Sequence, residues 1–139
     1  MGSKIKIVIV LCAAAFLVTV LLIFLIEAPE YINTSFAERV IVEFTNGASP
    51  FSTEVEIGDV IELRNIFHGK QAVRDSPSCP IGSVRITFIS DDKELSLYPA
   101  GDDCPTVATG GIGCFMLSEN ENKRVREILV KYGIVYPFI

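Results

Sequence analysis

The hydrophobic pattern divides the chain into two unlike parts. Residues 7–26 contain no charged side chain, and Thr19 is their only clearly polar residue. An α-helix of about 20 apolar residues spans a bilayer core of roughly 30 Å and satisfies its own backbone hydrogen bonds there. This run therefore predicts a transmembrane helix that contacts the lipid bilayer along residues 7–26.

The charges on either side of the run predict its orientation. Lys4 and Lys6 precede it, whereas Glu27 and Glu30 follow it. Lysine is enriched on the cytoplasmic side of membrane helices. We therefore expect residues 1–6 in the cytoplasm and the remainder of the chain outside it, in the periplasm if the protein is bacterial.

A cleaved signal peptide is the alternative interpretation of this run. The apolar region of a signal peptide usually has about 7–15 residues and is followed closely by the cleavage site. Residues 7–26 form a longer run, and the small-x-small sequence Ser35-Phe36-Ala37 lies well beyond its end. We therefore expect a retained, single-pass signal anchor.

Beyond the run, the pattern predicts a stalk over residues 27–38, where Pro29 stops the helix, and one domain over residues 39–139. Alternating apolar and polar positions predict strands, and turn residues such as Asn46-Gly47, Asp91-Asp92 and Gly110-Gly111 separate some of them. The predicted strands cover residues 39–45, 83–89, 95–99, 104–109 and 114–117, with a last edge strand over 134–139. Residues 70–82 are expected to form a loop.

Two segments of the domain have the spacing of amphipathic helices. The first covers residues 58–67, with Asp59 near its start and Gly69 at its stop. Ser118 and Glu121 form a capping-box sequence before the second, whose apolar residues recur every three or four positions. The fold class that we predict is α+β: a mostly antiparallel sheet with two helices on one face, preceded by a single transmembrane helix.

Charge limits the partners of this domain. Residues 27–139 contain 17 acidic and 10 basic residues, which gives a net charge of −7. A surface with this excess of negative charge repels nucleic acid and anionic lipid. We therefore expect a protein partner and no nucleic acid.

Three cysteines lie outside the predicted membrane helix, and an oxidising compartment favours a disulfide between two of them. If Asp91-Asp92 form the hairpin turn, Ile86 faces Leu97 and all the apolar residues of the hairpin share one face. The same register places Cys79 opposite Cys104, where the Cα atoms would be about 4.5–5.5 Å apart. We therefore predict a Cys79–Cys104 disulfide and a buried free thiol at Cys114.

Other chemistry has weaker support in the sequence. His68 and the three cysteines could form a zinc site, but the spacing of the four residues is irregular. No serine lies in a G-x-S-x-G motif, and the glycines at 110–113 lack the lysine of a phosphate-binding loop. We expect no cofactor, no metal ion and no catalytic residue.

The C-terminal tail is apolar. Tyr136, Phe138 and Ile139 either dock into the core of the domain or form a contact surface for a partner. The function that we expect is therefore a membrane-anchored, non-catalytic extracytoplasmic domain that binds a protein or another envelope component. The alternatives are a small thiol or metal-site protein using His68 and the cysteines, and an accessory subunit that acts through its transmembrane helix.

Overall fold

The computed structural model describes residues 2–26, 29–45, 50–75, 77–111 and 113–136. Within these ranges the chain forms three helices: α1 (Ser3–Ile26), α2 (Ile57–Phe67) and α3 (Glu119–Lys131). It also forms eight strands: β1 (Glu30–Tyr31), β2 (Arg39–Phe44), β3 (Phe51–Glu54), β4 (Gln71–Arg74), β5 (Val84–Ile89), β6 (Glu94–Pro99), β7 (Thr106–Thr109) and β8 (Gly113–Met116).

Helix α1 includes the whole apolar run. Within the described residues it is the one helix long and apolar enough to cross a membrane, and no part of its span at Ile5–Ile23 is buried. Large apolar side chains are exposed along it, including Phe16 at 70%. Such exposure suits a lipid environment, because exposed apolar patches of this size are rare in soluble proteins.

The strands form one sheet in the order β1-β4-β8-β7-β6-β5-β2-β3, and every neighbouring pair is antiparallel. Together with α2 and α3, this sheet confirms the predicted α+β fold. The β5–β6 hairpin has the predicted register, with Ile86 opposite Leu97 and Phe88 opposite Leu95. Apolar residues that alternate along each strand therefore point to the same side of the sheet.

Helices α2 and α3 cover one side of the sheet, which we call the inner face. Val60, Leu63 and Phe67 of α2 are fully or almost fully buried, in one core with apolar residues of α3 and of the sheet. The Phe67 ring packs in T-shaped arrangements against the rings of Phe88 and Phe115, with centroid distances of 5.8 and 6.1 Å. The α3 capping box is confirmed, since the Ser118 hydroxyl accepts a hydrogen bond from Glu121 N and the Glu121 carboxylate accepts one from Ser118 N.

The predicted stalk needs a correction over its described residues. Ile32, Thr34 and Ala37 are at most 3% exposed. The Thr34 hydroxyl donates to the carbonyl oxygen of Arg64 in α2 at 2.8 Å, and Ile32 N donates to Lys70 O at 2.8 Å. Residues 30–37 are therefore part of the domain, because their apolar side chains and backbone find partners in it. Glu27 lies outside the described residues.

The expected loop at residues 70–82 is also wrong in part, since residues 71–74 form β4 between β1 and β8. Strands β1 and β3 were not predicted either. Strand β1 has two residues, too few for an alternating pattern, and the four residues of β3 and of β4 do not alternate between apolar and polar positions. The predicted turn at Asn46-Gly47 lies outside the described residues. Residues 134–136 form no strand, although Ile134 is buried.

The other side of the sheet, the outer face, is crossed by the connection between β4 and β5. We call the described residues of this connection, 75 and 77–83, the crossover segment. These two strands run parallel, because four antiparallel steps separate them in the sheet. The connection must therefore pass from one end of the sheet to the other. Contacts of its residues with Thr106 and Cys114, which point to the outer face, show which side it takes.

Candidate functional site

A disulfide joins Cys79 in the crossover segment to Cys104 before β7, as the hairpin register predicted. Their Cα atoms are 6.2 Å apart, farther than in a regular ladder. The reason is a shift in pairing: the hairpin ladder ends at Ile86–Leu97, and pairing resumes with the bridge Ile81–Ala100. Gly82, with a φ of 113°, allows this local distortion.

The disulfide lies over the outer face. Both sulfurs contact the hydroxyl of Thr106, Cys79 Sγ at 3.6 Å and Cys104 Sγ at 3.3 Å. Gly101 N donates a hydrogen bond to Pro80 O at 2.8 Å, which ties the crossover segment to the end of β6. Covalent and hydrogen bonds together hold this segment on the face opposite α2 and α3.

Cys114 is a buried free thiol on the same face, as predicted. Its sulfur lies 3.9 Å from the carbonyl oxygen of Asp75, which it contacts as a donor. Burial, with a smaller contribution from the negative charge of Asp75, raises the pKa of this thiol. A thiol with a raised pKa is a poor nucleophile and a poor metal ligand at neutral pH.

His68 follows α2 and is exposed, and its backbone N–H donates to Arg64 O at 2.9 Å. Two of the three cysteines in the alternative zinc site form the disulfide, so they are not thiolate ligands. Among the described residues, no three His, Cys, Asp or Glu side chains lie close enough together to hold a metal ion. The structure therefore does not bring the four candidate ligands into one site.

A groove of about 860 Å³ lies between α3 and the chain that follows it. We call it the C-terminal groove. Val130, Ile134 and Val135 line it with apolar side chains, beside the polar residues Asp103, Glu119, Asn122, Lys123, Arg126 and Glu127. Val130 of α3 and Val135 of the tail are 54% and 75% exposed there, and Ile134 is buried. Gly133, with a φ of 94°, turns the chain back along the helix and so positions the tail.

Tyr136 belongs to this groove, whereas Phe138 and Ile139 lie outside the described residues. The guanidinium of Arg126 stacks over the Tyr136 ring, with its carbon 4.5 Å from the ring centroid. Burial of the phenol, against the opposing effect of Arg126, raises the pKa of Tyr136 well above its usual range. At least at Tyr136 the tail is therefore packed on the domain.

Some of the charged side chains that line the groove form ion pairs. Arg126 pairs with Asp103, whose carbonyl oxygen also accepts a hydrogen bond from Asn122 Nδ2 at 3.2 Å. Arg124 bonds to Glu127 at 2.8 Å. These pairs leave an apolar strip at Val130 and Val135 between charged residues. The sequence signal for this site was the apolar tail after Gly133, but the contribution of α3 required the structure.

Comparison with known proteins gives no relative from which a role could be carried over to the disulfide, Cys114 or the groove. No protein-family model, no curated protein and no solved structure matches this chain.

Proposed function

We propose that this protein is a membrane-anchored, non-catalytic domain that binds an apolar segment of another envelope protein in the C-terminal groove. The observation that carries this proposal is the groove itself, an apolar strip bordered by charged residues on a domain that follows an apolar helix. Protein interfaces have this arrangement of an apolar centre and a polar rim.

Support for the anchor comes from α1 and from the disulfide. The apolar side chains of α1 are exposed along its length, and a disulfide suggests an oxidising compartment. The lysines before the helix favour a cytoplasmic N-terminus. The domain would then stand on the extracytoplasmic side of the membrane.

The chemistry of the groove favours a peptide segment over other ligands. A small polar ligand needs several polar groups that converge on it, whereas Asp103, Asn122 and Arg126 are already engaged with one another. Among the described residues this leaves Glu119 and Lys123, a pair of opposite charge, as the charged lining residues outside such contacts. The net charge of −7 for residues 27–139 disfavours nucleic acid and anionic lipid. An apolar side chain placed between Val130 and Val135 would remove both valines from water.

The orientation can be tested with sealed spheroplasts that express the full chain. External protease is expected to remove the domain and to leave the N-terminus protected. Protection of the domain until the membrane is lysed would overturn the proposed topology.

The binding site can be tested by photo-crosslinking in native membranes. A photoreactive residue at Val135 is expected to give a discrete adduct that disappears with Val130→Asp, because a charge at that position opposes apolar docking. The matched control places the photoreactive residue at Ile57 of α2, which is 68% exposed and is not among the residues that line the groove. Equal adducts at both positions, or adducts that survive Val130→Asp, would contradict the proposal.

A further inference from the structure

The chain between the apolar helix and the domain is very short. Helix α1 ends at Ile26 and β1 begins at Glu30. Fully extended chain covers at most about 3.3–3.6 Å per residue, so the Cα atoms of Ile26 and Glu30 are within about 14 Å of each other. If residues 7–26 span the hydrocarbon core, Ile26 lies at its boundary, and the headgroup layer beyond it is roughly 5–8 Å thick. Strand β1 must therefore lie at the membrane surface or just above it.

Three exposed apolar side chains lie on the outer face at this edge of the sheet, beside the exposed polar side chain of Gln71. Tyr31 pairs with Gln71, Val73 pairs with Cys114, and side chains two positions apart on a strand point to the same face. Tyr31, Val73 and Met116 therefore share the outer face, where they are 59%, 51% and 67% exposed. We call these three residues the edge patch.

The edge patch differs from the rest of its face. Thr106 and Cys114 also point to the outer face, but they are at most 9% exposed and contact the disulfide and Asp75. The patch beside them keeps three large apolar side chains in contact with solvent. It is also the part of the face that belongs to β1, β4 and β8, the edge nearest to the tether.

We propose that the edge patch lies in the headgroup region of the bilayer, so that the domain rests on the membrane with this edge of its sheet. This inference depends on the anchoring role proposed above. Tyrosine is enriched at membrane–water interfaces, because its ring is apolar and its hydroxyl is polar, and methionine adapts to irregular apolar surroundings. The negative charge of the domain makes zwitterionic lipid the suitable surface.

Single-tryptophan fluorescence can test this contact, because the natural chain contains no tryptophan. The full chain is reconstituted into phosphatidylcholine vesicles that contain no brominated lipid, lipid brominated near the headgroup, or lipid brominated deep in the acyl chains. Met116→Trp reports on the patch, and Val73→Trp is a second reporter if the first variant does not fold. Ile57→Trp is the matched control. Ile57 is 68% exposed and Met116 is 67% exposed, but Ile57 belongs to α2 and Met116 to the sheet. Phe16→Trp reports on insertion of α1.

We expect blue-shifted emission for Phe16→Trp and Met116→Trp, with quenching of Phe16→Trp by the deeply brominated lipid and of Met116→Trp by the lipid brominated near the headgroup. Ile57→Trp should show neither effect. Quenching of Phe16→Trp without quenching of Met116→Trp would overturn the patch and leave the anchor intact. Absence of quenching at Phe16→Trp would overturn both. The emission of Met116→Trp could also shift to the blue only when the protein density in the vesicles rises. This result would show that a second copy of the chain covers the patch, and it would overturn the inference.

Discussion

The two faces of the sheet are covered in different ways. On the inner face, α2 and α3 bury a continuous apolar core that includes Phe67. On the outer face, irregular chain crosses the strands and a disulfide holds it there. Apolar packing therefore stabilises the inner face of the sheet, whereas a covalent bond and local polar contacts stabilise the outer face.

The largest effect is expected from Phe67→Ala on the inner face. Phe67 is fully buried and packs edge-on against two other rings, so its removal leaves a cavity that costs about 3–5 kcal/mol of unfolding free energy. Urea unfolding of the full chain in detergent, followed by near-ultraviolet circular dichroism, measures this loss. Ile57→Ala is the exposed control, with an expected change within about 0.5 kcal/mol. Equal losses for the two variants would contradict the assigned core.

Removal of the disulfide tests the outer face. Cys79→Ser with Cys104→Ser is expected to lower the unfolding free energy by roughly 3–4 kcal/mol, because the bond closes a loop between residues separated by 25 positions. The crossover segment should also open more often, which would expose Cys114. Labelling of Cys114 by a thiol reagent measures this opening, with Cys12→Ala in both proteins to remove the other free thiol. An unchanged labelling rate would show that packing alone holds the segment.

A smaller, pH-dependent effect is expected where α2 meets α3. The Tyr132 hydroxyl donates to Asp59 at 2.6 Å, and Lys131 lies 2.9 Å from the same carboxylate. These bonds hold the pKa of Asp59 below its usual range, against the effect of burial. Since Tyr132→Phe removes a hydrogen bond to a charged group, it should cost about 1.5–3 kcal/mol at neutral pH.

The sign of the pH dependence follows from the lowered pKa of Asp59. Its stabilisation is complete above the pKa of an unfolded aspartate, about 3.9, and is lost as the pH falls through the lower pKa of the folded state. The difference between the natural chain and Tyr132→Phe should therefore shrink below about pH 4. Unfolding free energies from neutral to acidic pH measure it, and a difference that does not change with pH would exclude the carboxylate as its source.

The smallest effect is expected from a polar pair on the outer face. Arg85 Nε lies 2.6 Å from Glu43, and the two side chains are 39% and 26% exposed. A partly exposed ion pair of this kind contributes about 0–1 kcal/mol and is screened by salt. Glu43→Gln should therefore change the unfolding free energy less than Tyr132→Phe does, and less again at high salt. A larger loss would show that the outer face depends on its polar contacts as well as on the disulfide.

Much of the fold was predictable from local patterns. The capping box at Ser118, the stop of α2 at Gly69 and the turn at Asp91-Asp92 each depend on a few neighbouring residues. The hairpin register also named the disulfide pair, although the ladder shifts before it reaches Cys79. These features were accessible because adjacent residues and a single turn determine them.

The missed features depend on residues that are distant in the chain. Strand β4 forms because β1 and β8 lie on either side of it, and Thr34 is buried because Arg64 of α2 accepts its hydrogen bond. The C-terminal groove likewise needs α3 and the tail together. No pattern within residues 30–37 or 71–74 shows these partners.

The amino-acid sequence by itself determined the apolar helix, the α+β class, the acidic character of the domain and the pairing of Cys79 with Cys104. Each of these depends on composition, periodicity or one local turn. Only the tertiary structure decided which strands form the edges, which side of the sheet the crossover segment covers and where apolar side chains stay exposed. The physical reason is that burial and strand pairing depend on surfaces supplied by distant parts of the chain, which local sequence does not specify.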